Sequence, residues 1–120
     1  TNKTEKAIII GAGDAGYVLV KELAQNDNFN VSVIGFVDDK KINNEISGYR
    51  VLGDTYDIPE IVQKYDVKIA FIAMPSADKD TVRRIYDLCQ SAKLETKIMK
   101  EGDNLLVNEL NSPKSIRFRI

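Results

Sequence analysis

Four residues without a polar break, Ala7, Ile8, Ile9 and Ile10, stand near the start of the chain. Lys68-Ile-Ala-Phe-Ile-Ala-Met74 repeats the pattern further on. Continuous apolar runs of this kind predict strands buried on both faces, as in a parallel sheet covered by helices. Elsewhere the period changes. Residues 14–25 predict a helix with Ala15, Val18, Leu19 and Leu23 on one face. Ile58, Ile61, Val62 and Tyr65 fall at i, i+3, i+4 and i+7, with Asp57 as cap and Pro59 in the first turn. Residues 78–92 predict a third helix that turns Val82, Ile85, Cys89 and Ala92 inward. Segments 31–37, 49–52 and 94–99 read as further strands, and Gly35 in the first of them marks close approach by a neighbouring helix. Residues 1–5 read as the end of a linker and 40–48 as a polar loop. Residues 101–120 read as a C-terminal tail, in which 115–120 alternate with period two like an edge strand.

This order of elements calls for right-handed crossovers and helices on both faces of the sheet. The expected fold is α/β, a doubly wound parallel sheet of about five strands over residues 6–100. Ligands of such sheets sit beyond the carboxyl ends of the strands, where the strand order reverses. Here that crevice lies between the loops after Ile10 and after Met74.

The first of those loops carries Gly11, Gly13 and Gly16 at the spacing G-x-G-x-x-G, between a buried strand and a helix. In that setting the spacing is a Rossmann-like dinucleotide fingerprint. One glycine makes the turn, one admits a pyrophosphate, one lets helix and strand pack closely, and the helix N-terminus attracts the anion. Ala12, Asp14 and Ala15 complete the expected cofactor loop, Asp14 also reading as the helix N-cap. Asp38 follows Gly16 by 22 residues, at the end of the second strand, where a carboxylate accepts hydrogen bonds from ribose hydroxyls. Its charge would repel a 2′-phosphate, so NAD is the expected cofactor over NADP, with a nucleotide-sugar as the alternative ligand. Lys40 and Lys41 partly offset that charge. Asp39 is a second, poorer candidate, because its side chain leaves the strand on the other face. Met74, Pro75 and Ser76 line the crevice from across it, Ser76 reading equally as a helix cap. Arg83 and Arg84 read as an exposed helix face, and Cys89 as a buried thiol.

Composition narrows the chemistry. The chain has 120 residues, 17 basic against 18 acidic, and a net charge of −1, so no nucleic-acid partner is expected. No apolar run reaches the roughly 20 residues of a membrane helix, so no direct membrane insertion is expected. A single cysteine rules out an internal disulfide and suits a reducing compartment. There is no histidine, which removes His-based triads, bases and metal ligands. A Tyr-x-x-x-Lys pair, in which the lysine lowers the tyrosine pKa, occurs once, as Tyr17 and Lys21. That pair lies on the helix that opens at the glycine loop, away from a nicotinamide. No catalytic residue is therefore assigned, and no metal site.

Residues 8–16 (Ile-Ile-Ile-Gly-Ala-Gly-Asp-Ala-Gly), 34–40 (Ile-Gly-Phe-Val-Asp-Asp-Lys), 48–53 (Gly-Tyr-Arg-Val-Leu-Gly), 72–77 (Ile-Ala-Met-Pro-Ser-Ala) and 87–89 (Asp-Leu-Cys) form a familiar series. Together they resemble the N-terminal, CoA-binding-like Rossmann domain of the bacterial membrane-bound nucleotide-sugar 4,6-dehydratases of polysaccharide biosynthesis. The resemblance implies a parent at the cytoplasmic face of the inner membrane, with membrane helices before this domain. It also implies a downstream dehydratase domain, acting on a substrate of the UDP-N-acetylglucosamine type, as a partner. This domain would then bind NAD or a nucleotide-sugar in a non-catalytic or regulatory role, with a second copy of itself, as a homo-oligomer, among its expected partners. The glycine loop and the Phe-Val-Asp-Asp turn also resemble the NADH-sensing domain of redox-sensing repressors and CoA-binding domains, so a sensor is the alternative. A purely structural oligomerisation domain is a third reading. The N-terminal domain of sugar acetyltransferases shares the Gly-Phe-Val-Asp-Asp turn, but usually has a histidine in its glycine loop, where this chain has Asp14-Ala15.

Overall fold

The computed structural model describes residues 4–99. The tail 101–120 and its expected edge strand lie outside the described residues. Six strands and three α-helices follow in the order β1 (Glu5–Ile10), α1 (Asp14–Gln25), β2 (Val31–Val37), β3 (Glu45–Ile46), β4 (Tyr49–Gly53), α2 (Ile58–Tyr65), β5 (Ile69–Ile72), α3 (Lys79–Ser91) and β6 (Glu95–Ile98). Glu5, expected in the linker end, is already paired in β1 opposite Val31.

The strands lie side by side as β3-β4-β2-β1-β5-β6. Every pairing is parallel except β3 with β4. From β1 the chain moves outward through β2 to β4, then returns to the far side of β1 as β5. The strand order therefore reverses between β1 and β5, at the crevice expected from the sequence.

Alternation along β1 divides the core. Ala7 and Ile9 face one side, where α1 packs with Leu19, Val20 and Leu23. Ile8 and Ile10 face the other, against Ile58 and Ile61 of α2 and Ile85 and Cys89 of α3. Residues 7–10 are wholly buried, which explains the unbroken apolar run: neither face of the strand meets water. Burial of each isoleucine contributes about 1.5–3 kcal/mol, so the strand that carries the glycine loop is anchored in the core over residues 7–10.

Three details differ from the reading of the sequence. First, α1 buries Gly16, Leu19, Val20 and Leu23, whereas Val18 is 53% exposed. A Cβ on Gly16 would collide with the Gly11 carbonyl oxygen. That contact turns the helix so that the stripe beginning at Gly16 faces the sheet. Second, Gly35 is approached by a strand and not by a helix, since a Cβ there would lie 2.7 Å from the Arg50 carbonyl oxygen and 2.9 Å from Leu52 Cγ. Third, the loop 40–48 contains β3, a strand beyond the five expected over residues 6–100. Glu45 pairs with Arg50 and Ile46 with Tyr49, across a turn in which Ser47 and Gly48 have φ of 55° and 85°. Two consecutive positive φ values suit the twist of a two-residue hairpin.

Candidate functional site

Beyond Ile10 the chain is fastened on both sides. Gly11 N–H donates to the Val37 carbonyl at 2.8 Å, and Ala73 N–H donates to the Ile10 carbonyl at 2.8 Å. Gly11 then turns with φ +111°, and a Cβ on it would lie 2.5 Å from the Ala73 oxygen and 2.8 Å from Met74 Cγ. The packing of the chain on itself thus accounts for Gly11 and Gly16. It does not account for Gly13. That residue is exposed and extended, and a Cβ there would meet nothing within 4 Å.

Gly13 is also the N-cap of α1, with no side-chain cap hydrogen bond. Asp14 is therefore not the cap expected of it; it is the first helical residue and points outward. A helix that begins on a residue without a side chain leaves its first N–H groups without a side-chain acceptor, at the positive end of its dipole. Ala15, the next residue, is half-buried against the α1 side of the core.

Asp38 leans over this loop. Its Oδ2 accepts from Ala12 N–H at 2.8 Å and its Oδ1 from Lys40 N–H at 2.8 Å. Each carboxylate oxygen has further lone pairs for a ligand hydroxyl. Lys41 reaches the same residue on its other side, its Nζ donating to the Ala12 carbonyl at 3.2 Å. The two peptides that flank the Ala12 Cα are thereby held, one by a carboxylate and the other by an ammonium.

Asp39 departs on the opposite face, as period two requires. It accepts from Thr55 N–H at 2.8 Å and pairs with Arg84 Nη2 at 3.4 Å. Partial burial pushes its pKa up, but the hydrogen bonds from Thr55 and the charge of Arg84 outweigh it, and the carboxyl lies below its ordinary value. Arg84 also donates to Thr55 Oγ1 at 3.1 Å and lies over the Tyr56 ring, 5.0 Å from its centre. The sequence pattern places Arg84 on an exposed helix face and does not single out Thr55 or Tyr56 as site residues. The one signal was Asp54 followed three residues later by Asp57, a capping box that fixes this loop.

Across the crevice, Met74 is half-buried and Pro75 and Ser76 are exposed. Ser76 does not cap α3. Asp78 does, accepting from Thr81 N–H at 2.7 Å.

Lys21 Nζ and Tyr17 Oη lie 3.3 Å apart on the exposed side of α1. Burial pushes the Cys89 thiol up to about 12, so it does not ionise near neutrality. Arg83 pairs with Asp87 one helical turn away. Among the described residues no cluster of three potential metal ligands occurs, and no helix is long and apolar enough to cross a membrane.

Comparison with known proteins follows the same lines. The chain is 31% identical over 106 residues to the probable polysaccharide biosynthesis protein EpsC of Bacillus subtilis, a match covering 87% of this chain and 18% of that protein. It is 29% identical over 114 residues to the capsular polysaccharide biosynthesis protein CapD of Staphylococcus aureus, covering 91% and 19%. The chain thus spans about a fifth of the length of these relatives. Among solved structures, UDP-D-quinovosamine 4-dehydrogenase from Vibrio fischeri matches with a TM-score of 0.75 and 25% identity, over 86% of this chain and 84% of that one. RSP, a Rex-family repressor, matches in its complex with β-NADH with a TM-score of 0.67 and 20% identity, over 84% of this chain and 48% of that one.

RSP in complex with β-NAD+ and operator DNA matches with a TM-score of 0.62 and 21% identity, over 89% of this chain and 48% of that one. That complex corrects the expectation of no nucleic-acid partner, since a protein with this fold is solved on DNA. The expectation rested on net charge, which says nothing about how charge is distributed in a longer assembly. The family model for the CoA-binding domain matches residues 1–99. With the doubly wound sheet, the glycine loop and the polysaccharide-biosynthesis relatives in agreement, the chain belongs to the CoA-binding domain family.

Proposed function

We propose that this domain binds NAD(H) at the loop 11–16 and reports its occupancy to the longer protein of which such domains form a part. The observation that carries the reading is Gly13, the one glycine of the fingerprint that the fold itself does not require. Open space there, at a helix start without a side-chain cap, is what a pyrophosphate needs in order to approach the backbone. The residues present fit the group. Asp38 stands within hydrogen-bonding distance of the loop and offers acceptors to a ribose. The chain's likeness to a repressor solved with β-NADH and with β-NAD+ supports an NAD(H) cofactor. When bound, NAD(H) would supply a redox-dependent nicotinamide, and the chain's own loop 11–16 and Asp38 would hold and orient the ligand. The Asp38 carboxylate disfavours a phosphorylated ribose, which ranks NAD(H) above NADP(H) and CoA.

The repressor-type sensor is the better supported of the readings raised by the sequence, because the repressor solved with β-NADH has this fold. The dehydratase reading, a non-catalytic domain of a nucleotide-sugar 4,6-dehydratase, draws on EpsC, CapD and the Vibrio fischeri structure. Calorimetry with NADH, NAD+, CoA and a UDP-sugar separates the ligands. Saturable heat with NADH supports the proposal. Saturation by the UDP-sugar alone supports the dehydratase reading, and no heat with any ligand leaves a structural domain. Sedimentation with and without NADH tests the sensor, which should change its assembly state on binding.

A further inference from the structure

Among the exposed large apolar side chains of the described residues, Tyr56 is the most exposed, at 69% against 43%, 53% and 42% for Tyr17, Val18 and Ile42. It sits at the carboxyl edge of the sheet, in the short turn that follows β4. A chain of contacts joins it to the candidate site. Ala12 N–H is held by Asp38, Asp38 N–H donates to the Gly53 carbonyl at 3.0 Å, and Asp39 accepts from Thr55 N–H. The order glycine loop, Asp38, Thr55-Tyr56 thus follows the order β1, β2, β4 in the sheet.

A dinucleotide with its pyrophosphate on the α1 N-terminus and a ribose at Asp38 has one direction left for the base on that ribose. The C5′ side of the sugar returns to the phosphates, so the C1′ side points away from β1, toward the end of β4. Tyr56 is the aromatic ring there. Its partner is equally suited to a base: the Arg84 guanidinium lies 5.0 Å from the ring centre, held by Thr55 Oγ1 and Asp39. Because Asp39 balances its charge, Arg84 serves poorly as a phosphate clamp and well as a flat surface. Aromatic rings and guanidinium planes both stack on nucleobases.

We propose that Tyr56, braced by Arg84, is the stacking platform for the adenine ring of the ligand, an inference that rests on the dinucleotide reading above. Neither residue is required by the hydrophobic core. The test is calorimetric titration of the whole chain and of Tyr56→Ala and Tyr56→Phe with NADH and with ADP-ribose, alongside thermal unfolding of each variant. The expected result is a loss of about tenfold in affinity for both ligands in Tyr56→Ala. Tyr56→Phe should keep the wild-type affinity, and the melting temperatures should be unchanged. Wild-type affinity in Tyr56→Ala would overturn the platform and leave the dinucleotide site standing. An unaltered chain that binds neither NADH nor ADP-ribose would overturn both.

Discussion

Gly11, Gly13 and Gly16 look alike in the sequence and differ in what surrounds them. A methyl group at Gly11 meets carbonyl oxygen at 2.5 Å in a backbone with φ +111°. Gly11→Ala should therefore cost about 1–3 kcal/mol of stability in urea unfolding. At Gly13 the same methyl meets nothing within 4 Å, and Gly13→Ala should cost no more than about 1 kcal/mol, the part due to the poorer N-cap. Asp38→Ala, which leaves Ala12 N–H and Lys40 N–H without their acceptor, should cost about 1 kcal/mol and weaken ligand binding as well. The divergence of Asp38 and Asp39 was legible beforehand, because side chains alternate along a strand. The rotation of α1 was not. A period of 3.6 allows both a stripe through Val18 and one through Val20, and the contact of Gly16 with the Gly11 oxygen, far from any periodicity, decides between them.

Acidic side chains set the response of the helices to pH. Asp78 caps α3, and the hydrogen bond from Thr81 N–H holds its pKa below the ordinary 3.8. A carboxyl lowered by folding stabilises the native state above its unfolded value, and that stability is lost as pH falls through the folded value. Asp39, lowered on balance despite its partial burial, acts in the same sense. Glu22 on α1 acts in the opposite one. Desolvation raises its pKa, and its Oε2 is buried with no hydrogen-bond partner among the described residues. Its ionised form therefore opposes folding at neutral pH, and protonation relieves this as pH falls. Glu22→Gln should accordingly raise the melting temperature at pH 7, and Asp78→Asn should lower it there, with both differences shrinking toward pH 3. The helices were largely visible in the sequence because their apolar stripes and caps are local. Strand β3 was not, because two residues carry no period; the Ser47-Gly48 turn was its only sign.

At the scale of the whole molecule, the order β3-β4-β2-β1-β5-β6 brings the loop after β1 and the loop after β5 to one crevice. The alternation of buried strands and amphipathic helices made that much readable. What could not be read was which residues the fold consumes and which it leaves for a ligand. That distinction depends on contacts between loops distant in sequence, such as Thr55 with Asp39 or Lys41 with Ala12. If the domain reports cofactor occupancy, NADH should shift its sedimentation, and the shift should vanish in variants that no longer bind. The most direct measurement is calorimetric titration of NADH into the unaltered chain and into Gly13→Val. A ligand cradle predicts saturable binding by the first and none by the second, with Gly13→Val still melting cooperatively and only a few degrees lower, as a poorer N-cap requires. Equal heats from the two, or heats of the unaltered chain indistinguishable from dilution at millimolar ligand, would contradict it.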